Sequence, residues 1–403
     1  MALTLLFDLD DTLLKNDIDT FLPAYLRLLG KHMQPVVAPD KMVRELLTAT
    51  GLMVSNNTAA LSLERAFDSA FYAAVGHSKE DLRGTLENFY DTVFPDLQSL
   101  TGQMPGAVEV VERAASAGHT IVVATNPLFP RKAILHRIRW AGLDPDDSKF
   151  RLITTYERFH FAKPNPAYFA EILAQLGWPE QPAVVIGNSI PDDLTPAAKL
   201  GLPVYWVTAP GSILPEGFHP LSDAGSLEDV PAWLEKIEAA ELEQDFSTPA
   251  ALVALLKSTA AALDTLAMDL HASQWYARPA PDEWSLNVIL AHMRDVDAEV
   301  NIPRMEKIIR GENPFLPGIN TDTWADERPY SEEDGPTALR QFIETRTRLN
   351  TLLEGLSDAD WQLPARHAIF GPTHLRELIS FITTHDRSHV RQAQAAVRST
   401  KAV

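Results

Sequence analysis

Two carboxylates stand two residues apart at the end of an apolar run, Leu5-Leu6-Phe7-Asp8-Leu9-Asp10-Asp11-Thr12. Side chains along a strand alternate with a period of two, so Asp8 and Asp10 share a face if the strand reaches both. One carboxylate could attack phosphorus while the other carries a proton. A plain strand end with solvated acids, Asp11 and Thr12 capping the next segment, fits the same residues. Three later features favour the chemistry. A second apolar run ends in Thr125-Asn126, a hydroxyl and an amide. Lys163 opens Lys-Pro-Asn-Pro before a helix-like stretch, where an ammonium could neutralise an anionic intermediate. A further apolar run leads into Gly187-Asn188-Ser189-Ile190-Pro191-Asp192-Asp193, whose hard oxygen donors suit magnesium. Each has a bland counterpart in a helix cap, a loop lysine or an acidic turn. Four such features in this order are hard to dismiss together.

A second constellation lies near the C-terminus, in Thr384-His385-Asp386-Arg387-Ser388-His389. Residues four apart share a helix face. His292 sits on an earlier helical pattern, Trp284-Ser285-Leu286-Asn287-Val288-Ile289-Leu290-Ala291-His292. Neutral imidazoles suit zinc, nickel, copper or iron, and three with an open position form a catalytic type of site. Polar-face or hydrogen-bonded core histidines are the alternative. His271, His367 and His374 have no comparable partner spacing and receive no role. Asp295 reads as an acceptor behind His292 or as part of a solvated face. Trp284-Ser285 reads as a hydrophobic anchor and an N-cap.

The elements that must position these residues follow from the patterning. Residues 3–9, 120–125, 151–154, 183–187 and 203–208 are short apolar runs separated by helix-like stretches, the pattern of buried parallel strands in an α/β sheet. Ligand sites in such sheets form at the carboxyl ends of the strands. Residues 15–100 are too long for a plain connection, and helical patterns such as 21–29 and 61–74 make them an inserted helical cap. From 233 to 245 a Glu/Ala-rich helical tail runs into Ser247-Thr248-Pro249, an interdomain boundary. Beyond it strand-like runs disappear. Residues 252–270, 285–309, 338–353 and 373–397 carry apolar residues at helical spacing, an up-and-down four-helix bundle joined in part by a long connection at 311–336. The expected domains are 1–240, with its cap at about 15–100, and 249–403.

Composition narrows the function. The 403 residues carry 35 Lys and Arg against 54 Asp and Glu, a net charge of -19. Both halves are acidic, so neither suits a nucleic-acid backbone, and an anionic substrate needs local cations. There are no cysteines. Disulfides, thiolate metal sites and a cysteine nucleophile are therefore excluded, and a reducing cytoplasm fits. No apolar stretch is expected to reach membrane-spanning length, and Asp8 breaks the N-terminal apolar run, against a signal peptide.

On the four motifs, about residues 1–235 resemble the haloacid dehalogenase superfamily. The resemblance implies a Rossmann-like core with a helical cap after the first strand. It makes Asp8 the nucleophile of an aspartyl-phosphate, Asp10 the general acid/base, Thr125 a phosphoryl ligand beside Asn126, and Lys163 the charge stabiliser. Magnesium would be held by Asp8, the Asp10 carbonyl and the acidic motif of Asn188, Asp192 and Asp193. The second acid points to the phosphatase branch. One position departs: the last motif usually begins Gly-Asp, whereas here it is Gly187-Asn188, so a retained but weaker metal site is expected. On the Trp-Ser start, His292, His385 and His389, about residues 249–403 look like the DinB/YfiT-like bundles. That implies a divalent metal, zinc, nickel, manganese or iron, on three histidines, and extends the family's frequent dimerisation to a homodimer here.

The leading expectation is a magnesium-dependent phosphatase of a small phosphomonoester, fused to a metal-binding bundle. Two alternatives remain open at this point. One is a metal- and thiol-dependent transferase in the bundle. The other is a non-catalytic phospho-ligand binder with a dimerisation module.

Overall fold

The computed structural model describes residues 2–237, 242 and 244–399. The chain forms two compact units. The first comprises Met1–Asn57, Leu61–Asn165 and Pro179–Gln244; the second comprises Thr58–Ala60, Pro166–Trp178 and Asp245–Val403.

The first unit is built on a parallel sheet. In chain order its strands and helices begin with β1 (Thr4–Phe7), β2 (Leu14–Lys15), α1 (Ile18–Met33), α2 (Pro39–Ser55), α3 (Leu63–Val75), α4 (Lys79–Thr92) and β3 (Gly102–Gln103). Next come α5 (Ala107–Ser116), β4 (Thr120–Val123), α6 (Arg131–Trp140) and β5 (Phe150–Ile153). After α7 (Pro166–Gln175), which belongs to the second unit, follow β6 (Ala183–Gly187), α8 (Thr195–Lys199), β7 (Val204–Val207), β8 (Asp223–Gly225) and α9 (Val230–Lys236).

Six strands lie in the order β5-β4-β1-β6-β7-β8, and every pairing is parallel. All four residues of β1 are buried, as are all five of β6. That accounts for their continuous apolar character, since a parallel sheet is covered on both faces. The five expected strands are present: β6 as expected, β5 shifted by one residue and the other three trimmed at their ends; β8 is too short and polar to announce itself. β1 stops at Phe7, so Asp8 and Asp10 lie in the loop beyond it and do not share a strand face.

The insert is helical, as expected, with a narrow base. β2 and β3 pair antiparallel, Leu14 with Gln103 and Lys15 with Gly102, so the chain enters and leaves the cap side by side. Four helices lie between them. Asp17 and Ser62 cap α1 and α3 through their side chains, and Ser78 and Asp81 form a capping box on α4. Phe21, Tyr25, Phe89 and Trp140 crowd around buried Phe94, centroids 5.4–6.3 Å away, at the separations favoured by aromatic pairs. The helical tail expected from 233 ends with α9 at Lys236; residues 238–241 and 243 of that tail lie outside the described residues.

The second unit contains α7, α10 (Pro249–Ala267), α11 (Leu286–Val296), α12 (Ile302–Ile309), β9 (Phe315–Leu316), α13 (Trp324–Glu327), α14 (Gly335–Leu353), β10 (Pro364–His367), β11 (Gly371–His374) and α15 (Leu375–Ser399). A wide turn at Asp297–Asn301 joins α11 to α12. The four long helices are where the apolar periodicity places them, but their arrangement corrects the up-and-down expectation. α10 packs on α14 and α15, and α11 packs on the same two, so sequence neighbours occupy the diagonals. Long connections between helices permit such a crossed order. α10 also packs along α7. It is the one described helix long and apolar enough to cross a membrane, yet 72% of that stretch is buried. Strands are not absent here either: β11-β10-β9 form a small sheet. Pro364, Gly371 and Pro372 mask it in the sequence, and it takes up His367 and His374 as strand residues.

One buried network ties the bundle together. Arg346 on α14 donates to Asp297 after α11 (2.7 Å) and to both carboxylate oxygens of Asp386 on α15. All three side chains are no more than 2% exposed. Removing one member of a buried ion network typically costs about 3–5 kcal/mol, because the remaining charges lose their partner. Arg346→Met is therefore expected to destabilise the protein by about that amount in denaturant unfolding. A loss within about 0.5 kcal/mol, the range of ordinary surface changes, would show that the network is dispensable.

Candidate functional site

The strand order brings three motif loops to one sheet edge. β1 lies between β4 and β6, so Asp8 follows the central strand, Thr125 comes two residues after β4, and Asn188 to Asp193 follow β6. Lys163 arrives from the loop after β5. Its Nζ donates to Asp8 Oδ1 (2.6 Å) and to Asp193 Oδ1 (2.5 Å), and its side chain is 2% exposed. The backbone N–H of Lys163 donates to Asn126 Oδ1 at 3.2 Å. Asn126 thus holds the loop that carries the lysine. The carbonyl of Thr125 accepts from Thr154 Oγ1 at 2.7 Å.

Two converging acids make Asp8 unusual. Burial, followed by the charge of Asp193, pushes its carboxyl up to about 7, while Lys163 pulls the other way. A divalent cation would relieve this repulsion, so the donor set fits a hard cation: two carboxylates, the Asp10 carbonyl and the Asn188 amide. Asn188 Oδ1 accepts from Thr12 Oγ1 at 3.4 Å. The two motif acids separate. Asp193 meets Lys163, whereas Asp192 Oδ2 accepts from Ser189 Oγ at 3.0 Å.

Asp10 is held by partners the sequence did not indicate. Asn16 Nδ2 donates to one oxygen at 2.8 Å and Arg137 Nη1 to the other at 2.5 Å. Arg137 is 2% exposed and lies over the Phe129 ring, 4.7 Å from its centroid. Its helix, Arg-Lys-Ala-Ile-Leu-His-Arg-Ile-Arg-Trp, reads as a basic surface helix, so nothing in the sequence singles it out.

The second unit gathers the three histidines. His292 Nε2 lies 3.4 Å from His385 Nε2, which lies 3.0 Å from His389 Nε2. They are the one cluster of at least three potential His or carboxylate ligands within 4.8 Å of one another among the described residues. Burial, then the neighbouring imidazoles, pulls His292 down to about 3; burial and His385 pull His389 down to about 4. Burial lowers His385 as well, so all three shifts favour the neutral imidazole that a metal requires. His389 Nδ1 is 2.7 Å from Gln392 Oε1, a contact that leaves Nε2 its lone pair when Nδ1 carries the proton. His292 Nδ1 is buried without a hydrogen-bond partner.

Two expectations around this cluster need correction. Asp295 accepts from Arg294, Arg328 and Tyr330, not from His292. Ser285 stands at the N-cap, but its hydroxyl bonds Asn287 Oδ1 rather than capping the helix. Trp284 stacks on His389, with centroids 5.6 Å apart at 10°, and leans on His292 at 4.9 Å. It therefore walls the cluster.

Known proteins also divide the chain in two, with α7 inside the first match. Residues 3–201 match the haloacid dehalogenase-like hydrolase family and residues 255–393 the DinB superfamily. A phosphoglycolate phosphatase of Caulobacter vibrioides is 29% identical over 200 residues, covering 50% of this chain and 76% of that protein. A phosphoglycolate phosphatase of Rhodospirillum rubrum is 29% identical over 209 residues, covering 51% and 78%. Among solved structures, YfiT of Bacillus subtilis, a four-helix bundle, aligns with a TM-score of 0.35 and 17% identity, covering 41% of this chain and 91% of that one.

Gly187 offers a local test. A Cβ there would lie 2.4 Å from an Asp193 oxygen, well inside contact distance. Gly187→Ala is expected to displace Asp193 from Lys163 and to lower kcat/KM at least tenfold in a phosphate-release assay, with the protein still folded by circular dichroism. Unchanged turnover would mean that Asp193 need not sit where it does.

Proposed function

We propose that this chain, whose residues 3–201 belong to the haloacid dehalogenase-like hydrolases and whose residues 255–393 belong to the DinB superfamily, hydrolyses a small-molecule phosphomonoester through an aspartyl-phosphate on Asp8. That it is a phosphatase follows from the family and from its phosphatase relatives. The observation that carries the mechanism is Lys163 placed between Asp8 and Asp193.

Asp8 attacks phosphorus as its ester oxygen leaves, and Asp10 delivers a proton to that oxygen. Asp10 then takes a proton from water, which attacks the same phosphorus and frees Asp8. Arg137 and Asn16 hold the Asp10 carboxyl in place through both steps. Thr125 and Lys163 face the phosphoryl oxygens, where preorganised donors stabilise the developing charge. Magnesium, when bound by Asp8, Asp193, the Asp10 carbonyl and the Asn188 amide, supplies further charge neutralisation, with Asp192 as the neighbouring acid.

In the bundle, His292, His385 and His389 would hold a divalent metal. Their neutral, convergent Nε2 atoms support this reading. The functional pieces are taken as 1–240 and 249–403.

Phosphoglycolate and a generic aryl phosphate, each with magnesium, are the first substrates to test. Phosphate release is expected from at least one and is expected to fall on the order of a thousandfold or more in Asp8→Asn. No turnover across a broad phosphate panel would overturn the assignment. For the bundle, elemental analysis should find about one divalent metal per chain, reduced in His292→Ala and His389→Ala. Equal content in all three proteins would remove the site.

A further inference from the structure

The catalytic carboxylates open into a cavity of about 890 Å³ within the first unit. A phosphoryl group needs only the end formed by Asp8, Thr125 and Lys163. The remainder reaches into the cap, and most of its exposed wall is apolar. Leu22 of α1, Leu46 of α2, Phe67 of α3, Leu86 of α4 and Phe129 before α6 all line it. Each is only partly buried against the core, so each leaves apolar surface turned towards the space. Uncovered apolar surface favours a ligand that removes it from water. A volume near 900 Å³ lies at the upper end of the range for sites that bury drug-sized ligands, far beyond a two- or three-carbon ester.

Charge points the same way. All three lysines that line the cavity are committed to carboxylates. Lys79 donates to Glu64 and Asp68 at 2.7 Å each, Lys132 to both oxygens of Asp91 at 2.8 Å, and Lys163 to Asp8 and Asp193. Glu64, Glu87 and Glu157 line the same space. Of the arginines in the lining, Arg137 donates to Asp10, Arg83 lies 3.4 Å from Glu80, and Arg131 bonds Glu157 through its backbone N–H. A second anionic group on the substrate would meet these acids and, Arg131 apart, cations that already face a carboxylate.

From this geometry we propose that the physiological leaving group is bulky and apolar, an alkyl chain or aromatic ring system bearing one phosphate and no further negative charge. The proposal rests on the phosphatase reading above and narrows it. The phosphate binds at the sheet edge, and the apolar body displaces water from the cap walls.

The test is a series of n-alkyl phosphates from ethyl to octyl with magnesium, beside ω-carboxyalkyl phosphates of matched length. At about 0.8 kcal/mol per buried methylene, kcat/KM is expected to rise roughly fourfold per methylene. Each carboxyalkyl ester is expected to trail its alkyl counterpart at least tenfold. Leu46→Asn and Phe67→Asn should flatten the chain-length dependence. A flat wild-type series, or a preference for the carboxylates, would overturn the proposal while leaving the phosphatase reading intact. If no ester is turned over, the phosphatase reading fails instead. Calorimetry with n-alkyl phosphonates then decides the inference alone: affinity rising with chain length supports the apolar site, and constant affinity overturns it.

Discussion

A single ammonium between two buried carboxylates constrains the first unit more than any other contact. Lys163, Asp8 and Asp193 come from three separate loops, and their charges are tolerable together only if all three arrive. The strand order meets that condition by setting β1 between β4 and β6. Local details follow from it. Asn126 holds the Lys163 backbone, and the Ser189 N–H steadies the second oxygen of Asp193 at 3.0 Å. Residue 187 must lack a Cβ because the Asp193 carboxylate occupies that space. The result is a carboxylate poised between burial, which favours its neutral form, and an ammonium, which favours the charged one.

The second unit uses the same device with a different cation. Arg346 lies between Asp297 and Asp386, again from three segments. Burial pushes Asp297 up while Arg346 draws it back. Here the cation is a guanidinium, whose planar fork bonds two acids at once and keeps its proton. Asp386 lies between His385 and His389 in sequence, one residue after the former and three before the latter. The network that joins α14 to α15 therefore also fixes the turn of helix that presents both imidazoles.

Much of this was legible in the sequence, and the exceptions have physical causes. Asp8 stands out because it ends an apolar run, and Lys163 and the Asp192-Asp193 pair because they follow it in order; each alone has a structural counterpart, and only the set points to chemistry. The His385 and His389 pair stands out through its spacing. Arg137 does not, because one arginine among four cations on a helix carries no mark of which is buried. Asp192 and Asp193 are indistinguishable as residues; only the turn geometry sends one to Lys163 and the other to Ser189. Helical periodicity shows which face of each bundle helix is apolar but not which helix covers it, so the crossed order was out of reach. The small sheet was hidden because Pro and Gly argue against strands except at edges and turns.

That crossed order bears on a chain without cysteine. His292 and His385 stand 93 residues apart in sequence yet face each other across adjacent helices. An ion held by both, and by His389, would tie two distant stretches of chain at one point. It would close a loop whose entropy is lost from the unfolded chain, as a crosslink does. The same cluster would then act as a reversible staple, set by metal supply and independent of redox state. Its strength would scale with free ion concentration over the dissociation constant. A protein built this way would carry its covalent-like restraint in a form that a chelator, not a reductant, removes.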